Sequence, residues 1–516
     1  MKHLMPGSAA LLASTMLAGA AQAACTDLTE LTLRGVEIGS ATEQAADSLP
    51  PDPNSAMTGS TSRDVPIGAH CLVEGKIGDR QGVGGQYGTR FQMRLPDDWN
   101  GHFLFQGGGG MDGFIAPAIG SIPSNGSTAL PALARGYAVV SMDGGHDGRD
   151  ADFAQDQQAR LDFAYASIGR VTDTAKAIIA AHYGREADRS LFMGCSNGGR
   201  EAMIAAQRYP TEFDGVVAGN PGFHLTAASL TQAWDVRALM SVAPNGDLSQ
   251  ALTQDDLDMV AAAILEQCDA LDGITDGIVN AASQCAFDLE GMRSQLGDAK
   301  TDALATVMAG PKGADGRALY SDWPFDPGIA SPGWRAWKLG TAETPALNVV
   351  LGGDSLSRLF LTPPREGVDP MSLDFDQAAQ DTRQMHGLLD ATSTFLTTFA
   401  DRGGKMVVFQ GAADPVFSTN DLTRWYRQAA SDTPGDFARL FVVPGMTHCG
   451  GGPALDDFDP LTLLEGWMDS GEAPTQMPAT GTAFPGVTQP VCVWPAEAHF
   501  TGADPAQAAS YECRES

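Results

Sequence analysis

Cys195 immediately precedes Ser196, and Cys449 immediately follows His448. No other feature constrains the chain as much. Gly194-Cys195-Ser196-Asn197-Gly198 fits G-x-S-x-G, the strand-to-helix turn that exposes a serine hydroxyl. A hydroxyl becomes a nucleophile when a base, usually histidine, takes its proton within hydrogen-bond reach. If Ser196 and His448 approach that closely, Cys195 and Cys449 are carried to disulfide distance. One crosslink would then hold nucleophile and base together, although they are far apart in sequence.

The flanks agree with such a turn. Ser190-Leu191-Phe192-Met193 is a short apolar run suited to a buried strand, and residues 200–208 read as a helix. Gly198 and Gly199 let that helix start close against the strand. The motif alone is a weak pattern in a chain with 60 glycines. The strand, the helix and the paired cysteines select this match.

Met1-Lys2-His3, the apolar stretch Leu11–Ala20 and Ala21-Gln22-Ala23 read as a signal peptide over residues 1–23. A lipoprotein signal fits less well, because Gln22 stands where leucine is wanted. The mature chain is therefore expected to be secreted or periplasmic, where disulfides persist. The eight cysteines are even in number. With Cys195–Cys449 set by the catalytic argument, sequence neighbours suggest Cys25–Cys71, Cys268–Cys285 and Cys492–Cys513. Free thiols or a metal cluster are the alternatives, and the lack of C-x-x-C argues against structural zinc. A formal net charge of −31 makes nucleic acid and anionic membrane poor partners.

The chain is too long for one small domain. Strands are expected at residues 91–95, 103–106, 137–141, 190–193 and 213–219, with a helix over 171–183. From about residue 223 to residue 392 the pattern turns irregular and rich in Asp, Gly, Pro and Trp. Alternation returns with a helix over 392–400 and strands at 405–410 and 440–444. An α/β-hydrolase core, residues 24–222 and 393–516, interrupted by an inserted lid over 223–392, explains this order.

Asp414 closes one returning strand and His448 follows the next, giving the order Ser…Asp…His of that fold. Asp414 precedes Pro415, so a plain turn residue is the competing role. His146, in a glycine-rich turn, is the other candidate base, but it lies on the wrong side of the serine. The run Gly107–Gly110 follows an early strand. Backbone N–H groups of Gly108 and Gly109 there, with that of Asn197, are candidate oxyanion donors. No G-K-[ST] follows, which argues against phosphate binding. Cys268–Ile278 packs Asp269, Asp272 and Asp276 into one loop, an oxygen-rich set of the kind calcium prefers, although the spacing is not that of an EF-hand.

The motifs Gly194–Glu201, Cys268–Ile278, Asp401–Met406 and Pro444–Cys449 together resemble the tannase and feruloyl esterase family over nearly the whole mature chain. The resemblance implies the serine–histidine disulfide. It also implies structural calcium held by Asp269, Asp272 and Asp276 side chains and the Ile274 and Ile278 carbonyls. It places Leu225, Trp337 and Phe417 against the acyl group. Members that cleave a terephthalate monoester hold its free carboxylate with a lid arginine. The matching position here is Leu347, with Arg358 nearby in sequence.

The expected function is hydrolysis of small aromatic-acid esters, of hydroxycinnamoyl or galloyl type, by Ser196, Asp414 and His448 without an organic cofactor. Hydrolysis of mono(2-hydroxyethyl) terephthalate is the first alternative. A non-catalytic binding protein on the same scaffold is the second.

Overall fold

The computed structural model describes residues 23–61 and 63–515. The expected signal peptide therefore lies, apart from Ala23, outside the described residues.

Among the described residues nine strands form one sheet. In chain order they are β1 (Val36–Gln44), β2 (His70–Gln81), β3 (Gln86–Pro96), β4 (His102–Gln106), β5 (Ala138–Met142), β6 (Arg189–Cys195), β7 (Gly215–Gly219), β8 (Lys405–Gly411) and β9 (Ala438–Val443). Across the sheet they run β1-β2-β3-β5-β4-β6-β7-β8-β9. The first three pairings are antiparallel and the rest parallel. The parallel strands are buried along almost their whole length, as required where helices cover both faces.

Side-chain alternation splits each central strand between two cores. Phe103, Phe105, Phe192, Val216 and Val408 enter one, with helix α1 (Ser167–Tyr183) and helix α2 (Asn197–Arg208). Leu104, Leu191, Val217 and Val407 enter the other, with Leu461, Leu464 and Trp467 of a late helix, Pro460–Ser470. A mostly parallel sheet, helices on both faces and a serine turn after a central strand make an α/β-hydrolase core, as expected.

Residues 223–392 contribute no strand to this sheet. The two ends of the insertion meet, where the Ala391 N–H donates to the Phe223 carbonyl at 2.7 Å. Between them the chain is largely helical, which its sequence pattern did not suggest. Helix α3 (Leu225–Met240) is buried nearly all round, so it lacks the polar face that makes a helix legible. An apolar cluster with Leu239, Leu257, Leu304 and Trp334 extends to Val416 and Phe417, seating the insertion on the catalytic half.

One expected element is much shorter than predicted. The helix over 392–400 shrinks to Thr397–Asp401. The preceding residues are tied across instead: Thr394 Oγ1 donates to Asp432 at 2.5 Å, and the Leu396 N–H donates to Thr433 Oγ1 at 2.8 Å. Such side-chain bonds compete with helix formation.

All four expected disulfides are present: Cys25–Cys71, Cys195–Cys449, Cys268–Cys285 and Cys492–Cys513. Among the described residues no helix is long and apolar enough to cross a membrane.

Candidate active site

Ser196 sits between β6 and α2 with φ 61° and ψ −122°. A non-glycine residue in that region costs about 1–3 kcal/mol and persists only where its surroundings enforce it. Close packing enforces it here. A Cβ on Gly198 would lie 2.5 Å from the Gly108 carbonyl oxygen, and one on Gly199 would lie 2.5 Å from that of Gly219. Only glycine lets the helix start so near the strands.

The three triad candidates meet. His448 Nε2 lies 2.9 Å from Ser196 Oγ, and His448 Nδ1 lies 2.9 Å from Asp414 Oδ2. Both rings of the expected pocket stand edge-on to His448: Trp337 with centroids 5.6 Å apart and Phe417 with 5.4 Å. Leu225, the first residue of α3, packs against two apolar clusters that residues of the insertion and of the core build together.

Asp414 fills both roles open to it. Oδ1 accepts the N–H groups of Val416 (2.8 Å) and Phe417 (3.1 Å), closing the turn through Pro415. Oδ2 faces His448 and also accepts the amides of Asn220 (2.7 Å) and Gln410 (3.1 Å). Asn220 and Gln410 were not singled out in the sequence. Asn220 directly follows β7, and Gln410 is the next-to-last residue of β8.

The crosslink joins two strained corners, because Cys449 also has φ 60°. The segment Met57–Gly59 lies against it: a Cβ on Gly59 would fall 2.8 Å from Cys449 Cβ and 2.9 Å from Cys195 Cβ. Asp326, from the insertion, braces the histidine loop by accepting the Gly445 N–H at 3.0 Å. Burial pushes its carboxyl up to about 6, against the two N–H groups it accepts.

The oxyanion donors need one correction. The Gly108 N–H donates to Glu201 Oε2 at 3.0 Å, because that carboxylate is buried beneath the loop and requires a donor. Gly109 and Asn197 are left as expected donors. Asn197 opens α2, where a first-turn N–H has no partner within the helix.

His146 is not a second base. It is buried against Phe153 with Nε2 3.0 Å from the Met111 carbonyl, and burial pushes its pKa down to about 4. Arg358 is half exposed and bound to Asp152 and Asp354, and Leu347 opens a short helix, Leu347–Asp354.

In the expected calcium loop Asp269 and Asp272 are buried and Asp276 is half-buried. Burial raises Asp272 to about 6 and raises Asp276, and the neighbouring aspartates add to both shifts. Among the described residues their partners are N–H groups, Asn280, Gln489 and Tyr511, with no lysine or arginine. Both oxygens of Asp269 accept backbone N–H groups, and the Ile278 carbonyl accepts that of Asn280 at 3.2 Å. Asn280, Gln489 and Tyr511 gave no signal in sequence, because they reach the loop from distant segments.

A sequence model described as "Tannase and feruloyl esterase" matches residues 76–514. The chain is 39% identical to a mono(2-hydroxyethyl) terephthalate hydrolase of Piscinibacter sakaiensis, over 86% of this chain and 84% of that protein. It is 29% identical to a probable feruloyl esterase of Arthroderma benhamiae, over 90% and 88% of the two chains. Among solved structures, feruloyl esterase B from Aspergillus oryzae superposes with a TM-score of 0.79, covering 94% of this chain and 98% of that one at 21% identity.

Proposed function

The chain belongs to the tannase and feruloyl esterase family, and from that premise we propose that it hydrolyses esters of small aromatic acids through a serine acyl-enzyme. The observation that carries this reading is the continuous line Asp414–His448–Ser196, with 2.9 Å at each step.

Ser196 Oγ attacks the ester carbonyl while His448 Nε2 takes its proton. The carbonyl oxygen, now negative, is held by the N–H groups of Asn197 and Gly109. The C–O bond to the alcohol breaks and His448 returns the proton to the leaving oxygen. Water, activated by the same histidine, then cleaves the acyl-enzyme and releases the acid. Asp414 holds the imidazole with Nε2 toward the serine and offsets its positive charge when protonated.

Trp337 and Phe417 supply flat apolar walls suited to an aromatic ring. A buried substrate carboxylate would need a paired cation. Leu347 supplies none, and Arg358 is already bound by two aspartates. This favours hydroxycinnamoyl or galloyl esters over the terephthalate monoester named for the Piscinibacter relative. The intact triad speaks against a purely binding role.

Calcium would sit among Asp269, Asp272 and Asp276. Buried carboxylates without a basic partner fit a divalent cation, which would neutralise them and brace the insertion. It would use lone pairs that the N–H groups leave open, or replace those bonds. Four disulfides suit an exported protein.

The test is turnover of methyl ferulate, methyl gallate, chlorogenic acid and mono(2-hydroxyethyl) terephthalate by the wild type and by Ser196→Ala. Hydrolysis that survives in Ser196→Ala, or is absent from the wild type on all four, defeats the proposal.

A further inference from the structure

Behind the oxyanion loop lies a polar cluster that the triad does not use. Helix α2 contributes Asn197 and Glu201, one turn apart, and the facing loop contributes Gly108 and Asp112. Asn197 Nδ2 donates to Asp112 Oδ1 at 2.6 Å, and the Gly108 N–H donates to Glu201 Oε2 at 3.0 Å. The two carboxyl groups thus lie side by side where the loop meets the helix, and each raises or lowers the other's affinity for a proton. Arg200, wholly buried, directs the arrangement. Its Nε donates to Asn197 Oδ1 at 2.7 Å, which turns the Asn197 NH2 toward Asp112. Its Nη1 donates to the carbonyls of Ala164 and Leu389 and its Nη2 to that of Phe163.

Asp112 and Glu201 are both almost completely buried. Each keeps one oxygen, Oδ2 of Asp112 and Oε1 of Glu201, that no N–H or O–H among the described residues reaches. Two ionised carboxylates in contact, out of water, would repel, and each would carry an unsatisfied oxygen. One proton held between the two carboxyls removes the repulsion and supplies the pair with a donor. It also balances charge, since a pair holding one proton carries −1 against the +1 of Arg200.

We propose that Asp112 and Glu201 share a single proton and thereby act as positioning residues that clamp the oxyanion loop to the nucleophile helix. The inference rests on the ester-hydrolase reading, because the groups it positions are the Gly109 and Asn197 N–H groups expected to hold the oxyanion. The loop cannot move away from α2 without breaking three linked hydrogen bonds: Gly108 to Glu201, Asp112 to Glu201 and Asn197 to Asp112. Burial raises both carboxyls, in the direction a retained proton requires.

A shared proton has a signature that packing alone lacks. In Asp112→Asn the new amide keeps the bond from Asn197 on its oxygen and donates to Glu201 with its nitrogen. In Glu201→Gln the new amide accepts from Gly108 and donates to Asp112. Each single variant keeps every bond. In the double variant the two NH2 groups face each other, and Arg200 loses both of these carboxyls and keeps the charge of Asp390. The experiment measures kcat and KM of the intact protein on methyl ferulate, or on the best ester found, with melting temperature as a fold control.

Each single amide should lower kcat by no more than about threefold. The double amide should lower it by about 10²-fold, the loss expected when an oxyanion donor is misplaced, with KM changed far less. Asp112→Leu should behave like the double. A double variant equal to the product of the two singles would overturn the shared proton. So would a single amide as damaging as Asp112→Leu. If the double variant is too unstable to assay, a melting-temperature loss no greater than the sum for the two singles overturns it equally. An inactive wild type would instead refute the ester-hydrolase reading itself.

Discussion

Asp414 meets His448 with one carboxylate oxygen and its own turn with the other. Oδ2 lies 2.9 Å from His448 Nδ1, while Oδ1 accepts the N–H groups of Val416 and Phe417. The turn thus fixes the oxygen that orients the base. Asp414→Asn should keep the turn, because an amide oxygen still accepts both N–H groups. It should lower kcat on the order of 10⁴-fold by presenting the wrong donor to the imidazole. Asp414→Ala should lose the turn as well and melt lower than Asp414→Asn. Kinetics and thermal melts of the two variants check this, and equal melting temperatures would separate the turn from stability.

The Cys195–Cys449 bond ties two backbone corners that are both in the left-handed region, Ser196 at φ 61° and Cys449 at φ 60°. Its removal frees a loop of 254 residues, so a loss of about 2–5 kcal/mol in stability is expected. Function should suffer as well, because drift of the base from the nucleophile loses alignment. The double variant Cys195→Ala/Cys449→Ala should therefore lower kcat at a temperature where it is still folded. Cys492→Ala/Cys513→Ala, remote from the triad, should lower only the melting temperature. Equal kcat values for the two double variants would remove the bond from the catalytic argument.

The catalytic residues were legible because their chemistry is local. Ser196 and His448 each stand beside a cysteine, and Asp414 ends a strand whose apolar run is plain in the sequence. The parallel strands were legible for the same reason, since both faces are buried. The antiparallel strand β1 was missed because it alternates half-buried with exposed residues and presents no apolar run. The insertion was read as irregular because α3 is buried all round and many of its other helices are short. A glycine-rich loop after an early strand points Gly108 to the oxyanion by local pattern alone. That Glu201 takes its N–H depends on a packing contact 93 residues away, which no local pattern carries.

With calcium in the proposed site, chelation should destabilise the protein in a pH-dependent way. Burial, reinforced by Asp276 and Asp269, pushes Asp272 up to about 6 from 3.8, against hydrogen bonds from Asn280 and Ile274. A carboxyl raised on folding binds its proton more tightly in the folded state. Without metal, its contribution to stability is fully present below about pH 4 and is lost as pH rises through about 6. A bound cation reverses this by favouring the ionised form. Chelation should therefore lower the melting temperature by several degrees at pH 7 and by much less at pH 4. Asp272→Asn should reduce the chelator effect at pH 7. A chelator effect independent of pH would detach the metal from these carboxylates, and no effect at either pH would remove the metal.

Substrate choice turns on what surrounds the acyl group. Trp337 and Phe417 present apolar edges and faces around His448, and apolar walls bind an aromatic ring without asking for charge. A para carboxylate placed there would lose its water, and neither Leu347, which is apolar, nor Arg358, which is held at the surface by Asp152 and Asp354, offers it a cation. Methyl ferulate or methyl gallate should therefore show kcat/KM at least equal to that of mono(2-hydroxyethyl) terephthalate. Trp337→Ala should lower kcat/KM on the aromatic esters by about 10–100-fold, in line with losing one large apolar wall, while acetate esters change far less. Leu347→Arg should raise activity on the terephthalate monoester selectively, by supplying the missing partner. A strong preference of the wild type for that monoester, abolished in Arg358→Ala, would mean that Arg358 leaves its aspartates to bind substrate, and the ranking argued here would fall.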